Sequence, residues 1–227
     1  MNKLYKILLP VGLLTIVLAG CVAIEEGGES ETDTAGDETS EMVLGALGPL
    51  SGEAAVYGVP LQRVQEMAVQ EINDAGGVLG GKKLKLLWED GGCNGDSANR
   101  ATQKLLDVSK VTVIMGGFCS SETLAAAKLT EPKKVILFSA GSSSPDITTA
   151  GDFVFRNYPS DSSQGKVLAE YVKKKGFKKV GMISEQQDYT LGIKTVFEKE
   201  FGGEVVAETY TSDASDFRTQ ILKLKGA

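Results

Sequence analysis

Three short stretches concentrate the hydroxyls and glycines of this 227-residue chain. They are Gly48-Pro49-Leu50-Ser51-Gly52 with Tyr57-Gly58 close behind, Gly116-Gly117-Phe118-Cys119-Ser120-Ser121-Glu122, and Ser139-Ala140-Gly141-Ser142-Ser143-Ser144-Pro145. The last two present hydroxyls and free backbone N–H groups, which suit an anion. A helix beginning near Ser121 would add partial positive charge at its N-terminus, worth about 0.3–2 kcal/mol to a carboxylate. Any one of these serines reads more readily as a cap or turn residue. Three such loops together point to a shared ligand crevice. Catalysis is the poorer reading. The chain has no histidine, which removes Ser-His and Cys-His pairs and most zinc sites. No Gly-x-Ser-x-Gly elbow occurs, and no lysine has an evident partner as a base. No catalytic residue, metal site or cofactor is expected.

The elements that must position these loops alternate strand and helix from Met42 onward. Apolar runs predict strands over 43–47, 84–88, 111–115, 135–138, 153–155, 179–183 and 204–210. Helical spacing predicts helices over 60–75 (Leu61, Val64, Ala68 and Ile72 on one face), 96–109 (Ala98, Ala101, Leu105), 122–130, 164–175 (Val167, Leu168, Tyr171), 190–201 and 217–225. Strict strand–helix alternation implies an α/β fold with parallel sheets and helices on both faces. In such sheets ligands bind beyond the carboxyl ends of the strands, where the three loops fall. The irregular stretch 156–165 breaks the rhythm. A first lobe is therefore expected over 42–158 and a partial second lobe over 159–227, with too few strand–helix units to close its sheet edge.

The N-terminus reads differently. Lys3 and Lys6 precede an almost unbroken apolar run of 14 residues, Ile7 to Gly20. That suits a signal peptide and falls short of the roughly 20 residues that span a bilayer. The ending Leu18-Ala19-Gly20-Cys21 resembles the lipobox of lipoproteins, which makes Cys21 the expected lipidation site. The protein is then expected outside the cytoplasm, at the cell surface or in the periplasm, touching the membrane only through that lipid. Residues 21–41 carry eight of the chain's 30 acids and no base, and read as an acidic disordered tether. Two of the 24 bases lie in 1–20, so 42–227 holds 22 of each sign and is neutral. A neutral body argues against a nucleic-acid partner. With Cys21 lipidated, Cys93 and Cys119 form an even pair in an oxidising compartment. A disulfide between them is expected, worth about 3.5 kcal/mol in the loop-entropy picture; two free buried thiols are the alternative.

Two motif matches carry no chemistry. Gly76 to Lys82 fits G-x-x-x-x-G-K, but Lys83 stands where a phosphate loop needs Ser or Thr. It also lies between a helix and a strand, the reverse of the required order. Lys173 to Lys175 and Lys178-Lys179 sit where a helix C-terminus and its turn attract positive charge.

Taken in order, several of these segments resemble the type I periplasmic binding proteins, most closely the leucine/isoleucine/valine-binding class that serves ABC importers. The segments are Gly48 to Gly52 with Tyr57-Gly58, Glu71-Ile72-Asn73-Asp74-Ala75-Gly76-Gly77, Cys119-Ser120-Ser121, Ser139 to Pro145, Asp161-Ser162-Ser163-Gln164-Gly165 and Asp216-Phe217. The resemblance covers 43–227 and implies two Rossmann-like lobes that close on a solute across a hinge. It implies that Ser120 and Ser121 hold an α-carboxylate, that the loop Gly141-Ser142-Ser143 meets the α-ammonium through the Gly141 carbonyl and the Ser143 hydroxyl, and that Tyr57 and Tyr189 wall the pocket. It also implies the Cys93–Cys119 bridge, ABC permease partners and a monomer. A ligand-sensing receptor for amides, urea or amino acids is the alternative on the same fold. Ser142-Ser143-Ser144 is more polar than the matching loop of aliphatic binders, which leaves the ligand's side chain open. The resemblance further places an ammonium-binding acid and two hinge crossings beyond residue 227, so weak or no binding is expected of this stretch alone.

Overall fold

The computed structural model describes residues 41–226. Residues 1–20 and all but the last residue of the 21–41 tether, Cys21 included, lie outside them. The order of elements is β1 (Met42–Gly48), α1 (Ala55–Asp74), β2 (Leu84–Asp90), α2 (Gly95–Gln103), β3 (Val113–Met115), α3 (Ser120–Thr130), β4 (Ile136–Ser139), β5 (Val154–Arg156), α4 (Ser162–Lys174), β6 (Lys179–Glu185), α5 (Asp188–Phe201), β7 (Glu204–Tyr210) and α6 (Arg218–Gly226). A π-helical turn, Lys104–Val108, extends α2, and a 3-10 turn, Pro145–Thr149, follows the third serine loop.

The strands form two parallel sheets, one ordered β2-β1-β3-β4-β5 and the other β6-β7. The expected α/β class with two lobes of parallel sheet is what the chain adopts. β1 runs in the middle of the larger sheet, with Gly45 beside Ile114 of β3 and Leu44 beside Leu86 of β2. The chain leaves β1 toward β2 on one side, then crosses back to β3 and β4 on the other. Right-handed crossovers then put α1 on one face and α2 and α3 together on the opposite face. The main core lies under that helix pair. Leu47, Ala98, Leu105, Ile114, Ala126 and Leu137 are fully buried there, so the stripe Ala98, Ala101, Leu105 faces inward as its spacing predicts.

The other two helix faces depart from expectation. Along α1 only Gly58 is buried, and Val64 is 62% exposed. Among the described residues this helix is alone on its face, and no second helix closes over its outer side. It also begins five residues before Pro60. The proline reads as a start signal, yet the first turn is seated earlier, where Gly58 meets the Pro49 carbonyl so closely that a Cβ would lie 1.8 Å from that oxygen. On α4, Val167, Leu168 and Tyr171 are exposed; the inward stripe is Gly165, Ala169 and Val172. Small residues win because α5 packs close: a Cβ on Gly165 would lie 2.8 Å from Val196 Cβ. Phe197 and Phe201, stacked at 5.4 Å, complete this smaller core.

The segment Gly76 to Lys82 is a turn, closed by a backbone bridge between Val78 and Lys82. Among the described residues no helix is long and apolar enough to cross a membrane.

Candidate ligand-binding cleft

The switch in chain direction between β1 and β3 opens a crevice at their carboxyl ends. The three hydroxyl-rich loops leave from β1, β3 and β4 on that edge. A buried carboxylate organises the region. Glu122, in the first turn of α3, is 0% exposed. Its Oε1 accepts from Cys93 N–H at 3.0 Å, and its Oε2 accepts from Phe118 N–H at 2.9 Å and Cys119 N–H at 3.0 Å. Burial pushes the Glu122 carboxyl above its ordinary range, against the pull of those three N–H donors. Gly91 and Gly117 make room for it; a Cβ on Gly91 would lie 2.3 Å from Oε1. The expected Cys93–Cys119 disulfide is present, with Cα atoms 5.2 Å apart, and ties the same two loops covalently. The start of α3 is therefore held at a fixed place on the sheet edge.

Asp90, at the end of β2, anchors the first loop through Leu50 N–H at 2.8 Å. Burial alone would raise its pKa, but hydrogen bonds from Ser51 and from the backbone of Leu50, Gly92 and Ser51 hold it below the usual carboxylate range.

The third loop is fastened from below. Ser139 Oγ donates to the Gly117 carbonyl at 2.6 Å and accepts from Ser142 N–H at 3.0 Å. Arg156 Nη1 donates to the Ser144 carbonyl at 2.7 Å, and Nη2 donates to Thr148 Oγ1 at 2.7 Å. Ser120 Oγ accepts from Ser144 N–H at 3.1 Å, which leaves the Ser120 proton to donate elsewhere. The first N–H groups of a helix lack intrahelical partners, so α3 and the Ser120 hydroxyl together form a donor site.

Above these groups lies a cavity of about 490 Å³. Five of the seven residues singled out from sequence line it: Tyr57, Ser120, Gly141, Ser143 and Tyr189. Gly141 must be glycine at this point, since a Cβ would lie 2.5 Å from the Phe118 ring. Two residues fall elsewhere. Ser142 is 1% exposed and turns into the fold, its Oγ 2.7 Å from Thr123 Oγ1 and donating to the Gly117 and Phe118 carbonyls. Its hydroxyl knits two loops and is not offered to the cavity. Ser121 lines a separate groove between α2 and α3, with Asp96 and Asp188, because it points off the other side of the helix start.

The cavity also takes in residues that sequence reasoning did not select. Phe118 stacks on Tyr57 with ring centroids 5.9 Å apart. Tyr158, Asp161, Gln164 and Gln187 complete the wall, with both disulfide cysteines. The signal was present for Phe118, an aromatic beside the serine pair. Tyr158 and Asp161 lay in the stretch 156–165, read as a boundary, and Asp161 also in the family-resembling segment Asp161 to Gly165, without either being assigned to the site. Burial raises the Tyr189 phenol, helped by the Asp161 charge and by Tyr158. Among the described residues no group of three or more acidic, cysteine or histidine side chains could hold a metal ion.

A profile of the periplasmic binding proteins matches residues 41–227. The chain belongs to that family. An amino acid binding protein of Pseudomonas aeruginosa is 30% identical over 194 residues, covering 83% of this chain and 52% of the relative. A leucine-, isoleucine-, valine-, threonine- and alanine-binding protein of the same species is 31% identical, covering 81% and 50%. Among solved structures, the branched-chain amino acid transporter substrate binding protein LivJ of Streptococcus pneumoniae, in complex with isoleucine, has a TM-score of 0.68 at 33% identity. It is matched over 83% of this chain and 55% of its own. This periplasmic binding protein chain thus spans about half the length of the relatives it matches. The family and these relatives are binding proteins, and nothing in them calls for a catalytic group.

Proposed function

We propose that this chain captures an amino acid outside the cytoplasm and delivers it to the permease of an ABC importer. Cys21 would carry the lipid that holds the protein to its membrane, with the acidic stretch to residue 41 as a leash. The observation that carries the reading is the meeting of the α3 N-terminus, the Ser120 hydroxyl, Gly141 and Ser143 in one cavity at the sheet's switch point. Ser120 and the first-turn N–H groups of α3 would bind the α-carboxylate, while the Gly141 carbonyl and Ser143 hydroxyl would meet the ammonium. Tyr57 comes from the lobe over 42–158 and Tyr189 from the one that starts at 159, so a solute between them would favour closure. The amino acids named for the relatives and for the LivJ complex support an aliphatic or small polar ligand. The test is a thermal-shift screen over the twenty L-amino acids. Because binding by this stretch alone is expected to be weak, the screen is run at millimolar ligand; selective stabilisation by one or a few amino acids supports the reading, and stabilisation by none of them, when ligand-observed NMR at the same concentrations is also blank, refutes it.

A further inference from the structure

The outer side of α4 carries a pattern that solute capture does not use. Gly165, Ala169 and Val172 face the core, which turns Val167, Tyr171 and Lys174 outward as one ridge at i, i+4 and i+7. Val167 is 64% exposed and Tyr171 59%, and Phe177, in the connection to β6, is 57% exposed. By helical spacing Lys166 and Lys173 flank the ridge on one side and Lys175 on the other, and Lys178 follows the helix; all four are exposed. Lys175 Nζ lies 5.4 Å from the centre of the Tyr171 ring. Among the described residues none of Lys166, Lys173, Lys174, Lys175 and Lys178 makes an ion pair. A helix C-terminus attracts lysines, which accounts for the last turn. It does not account for Lys166 toward the other end, nor for the exposed apolar side chains set among the lysines.

Charge is segregated as well. Residues 162–178 hold five lysines and one acid, Glu170, a net +4. The body over 42–227 has 22 of each sign, so the part of it outside this stretch carries 17 bases and 21 acids, a net −4. A body polarised in this way turns its basic face toward an anionic surface. A bilayer interface suits both halves of the pattern. Tyrosine and lysine place rings and stems against apolar surface and keep their polar ends among the headgroups. Each lysine near an anionic leaflet strengthens binding about fivefold. The acidic stretch 21–41 offers charge to the lysines, but it has no aromatic residue and nothing apolar larger than alanine after Ile24.

We propose that the exposed face of α4, from Lys166 to Lys178, rests on the anionic headgroups of the membrane. The contact expected from the sequence is the lipid on Cys21 alone. This face is a second contact, which goes beyond solute capture and stands or falls independently of it. Fully extended, residues 21–41 would reach at most about 70 Å, enough for the body to turn this face to the bilayer. The cleft stays free. Gln164, in the first turn of α4, lines the cavity, and Lys174 lies ten residues along the helix, about 15 Å away.

Lysine acetylation read by mass spectrometry tests the proposal. The purified chain is mixed with vesicles of phosphatidylcholine alone, or of phosphatidylcholine and phosphatidylglycerol in equal parts. The readout is local, so attachment through the N-terminal apolar run does not obscure it. Labelling of Lys166, Lys173, Lys174, Lys175 and Lys178 should slow at least fivefold on the anionic vesicles and less than twofold on the neutral ones. Lys82 and Lys110, exposed on the first lobe, should be unchanged on both. Val167→Ser combined with Tyr171→Ser should at least halve the slowing without lowering the melting temperature, since both side chains are exposed. Equal labelling on the two vesicles overturns the proposal and leaves the face to a protein partner. Slowing already present without vesicles, and relieved by added salt, assigns the lysines to the acidic stretch and overturns it too. Should the double variant fail to fold, the comparison of the two vesicles on the original chain decides. None of these results bears on the amino-acid reading, which the thermal-shift screen decides.

Discussion

Replacing Glu122 with Gln separates two forces that act on one buried carboxylate. Glu122 accepts three backbone N–H groups, one on Oε1 and two on Oε2. Gln keeps the shape but can offer its carbonyl to only one side. With that oxygen toward Phe118 and Cys119, the amide NH₂ faces Cys93 N–H, donor against donor. One buried N–H is then unsatisfied, which costs about 1–3 kcal/mol. For 186 described residues that corresponds to a melting-point loss of roughly 2–12 °C. The pH dependence carries the sharper information. The folded pKa of Glu122 lies above its ordinary value because burial outweighs the hydrogen bonds. Its contribution to stability is therefore fully present below about pH 4.5 and lost as pH rises through the folded pKa. Gln lacks that term, so the deficit of Glu122→Gln should be largest near pH 4 and shrink toward pH 7. Paired calorimetric melts at the two pH values provide the assay. A deficit that grows with pH would show that the three N–H donors stabilise the charged form more than burial opposes it, and would refute the reasoning.

Three further outcomes are expected. Reducing the Cys93–Cys119 bridge, which closes a separation of 26 residues, should cost about 3–4 kcal/mol of stability by denaturant titration; an unchanged midpoint contradicts the role given to it. Gly58→Ala puts a methyl 1.8 Å from the Pro49 carbonyl oxygen, where only backbone can yield, so the variant should lose several degrees of melting temperature and misplace Tyr57; a wild-type melt contradicts that packing. Ser142→Ala removes a hydroxyl bonded to Thr123 and two carbonyls and should cost about 1–3 kcal/mol, with the relative ranking of ligands unchanged. An altered ranking with no loss of stability would instead make Ser142 a ligand group.

The element types and the parallel sheets were legible because alternation of apolar runs with helical stripes leaves little choice in an α/β chain, whereas the strand order is read from the structure. β7 was placed residue for residue. Helix faces were less legible where packing depends on small residues. Gly165 and Ala169 carry no hydrophobic signal, yet they let α5 approach and leave Val167 and Tyr171 outside. The serine loops were found because three hydroxyl clusters at strand ends are conspicuous, but type alone does not say which way a side chain turns. Ser142 and Ser143 are neighbours in the loop after β4, where one hydroxyl is bonded into the fold and the other residue lines the cavity. Asp161 was quoted only within a family-resembling segment, since no sequence spacing reports that it lines the cavity.

The central claim is that the cleft binds the head group of an amino acid through Ser120 and the start of α3. Titration of the purified chain with the best amino acid of the screen, beside Ser120→Ala, tests it most directly. The account predicts weak but saturable binding to the original chain at millimolar ligand, weakened about tenfold or more in Ser120→Ala, as for loss of one hydrogen bond to a charged group, together with a melting-temperature loss of a few degrees from the Ser144 N–H left without its acceptor. Equal affinity of the two proteins for that amino acid would contradict it.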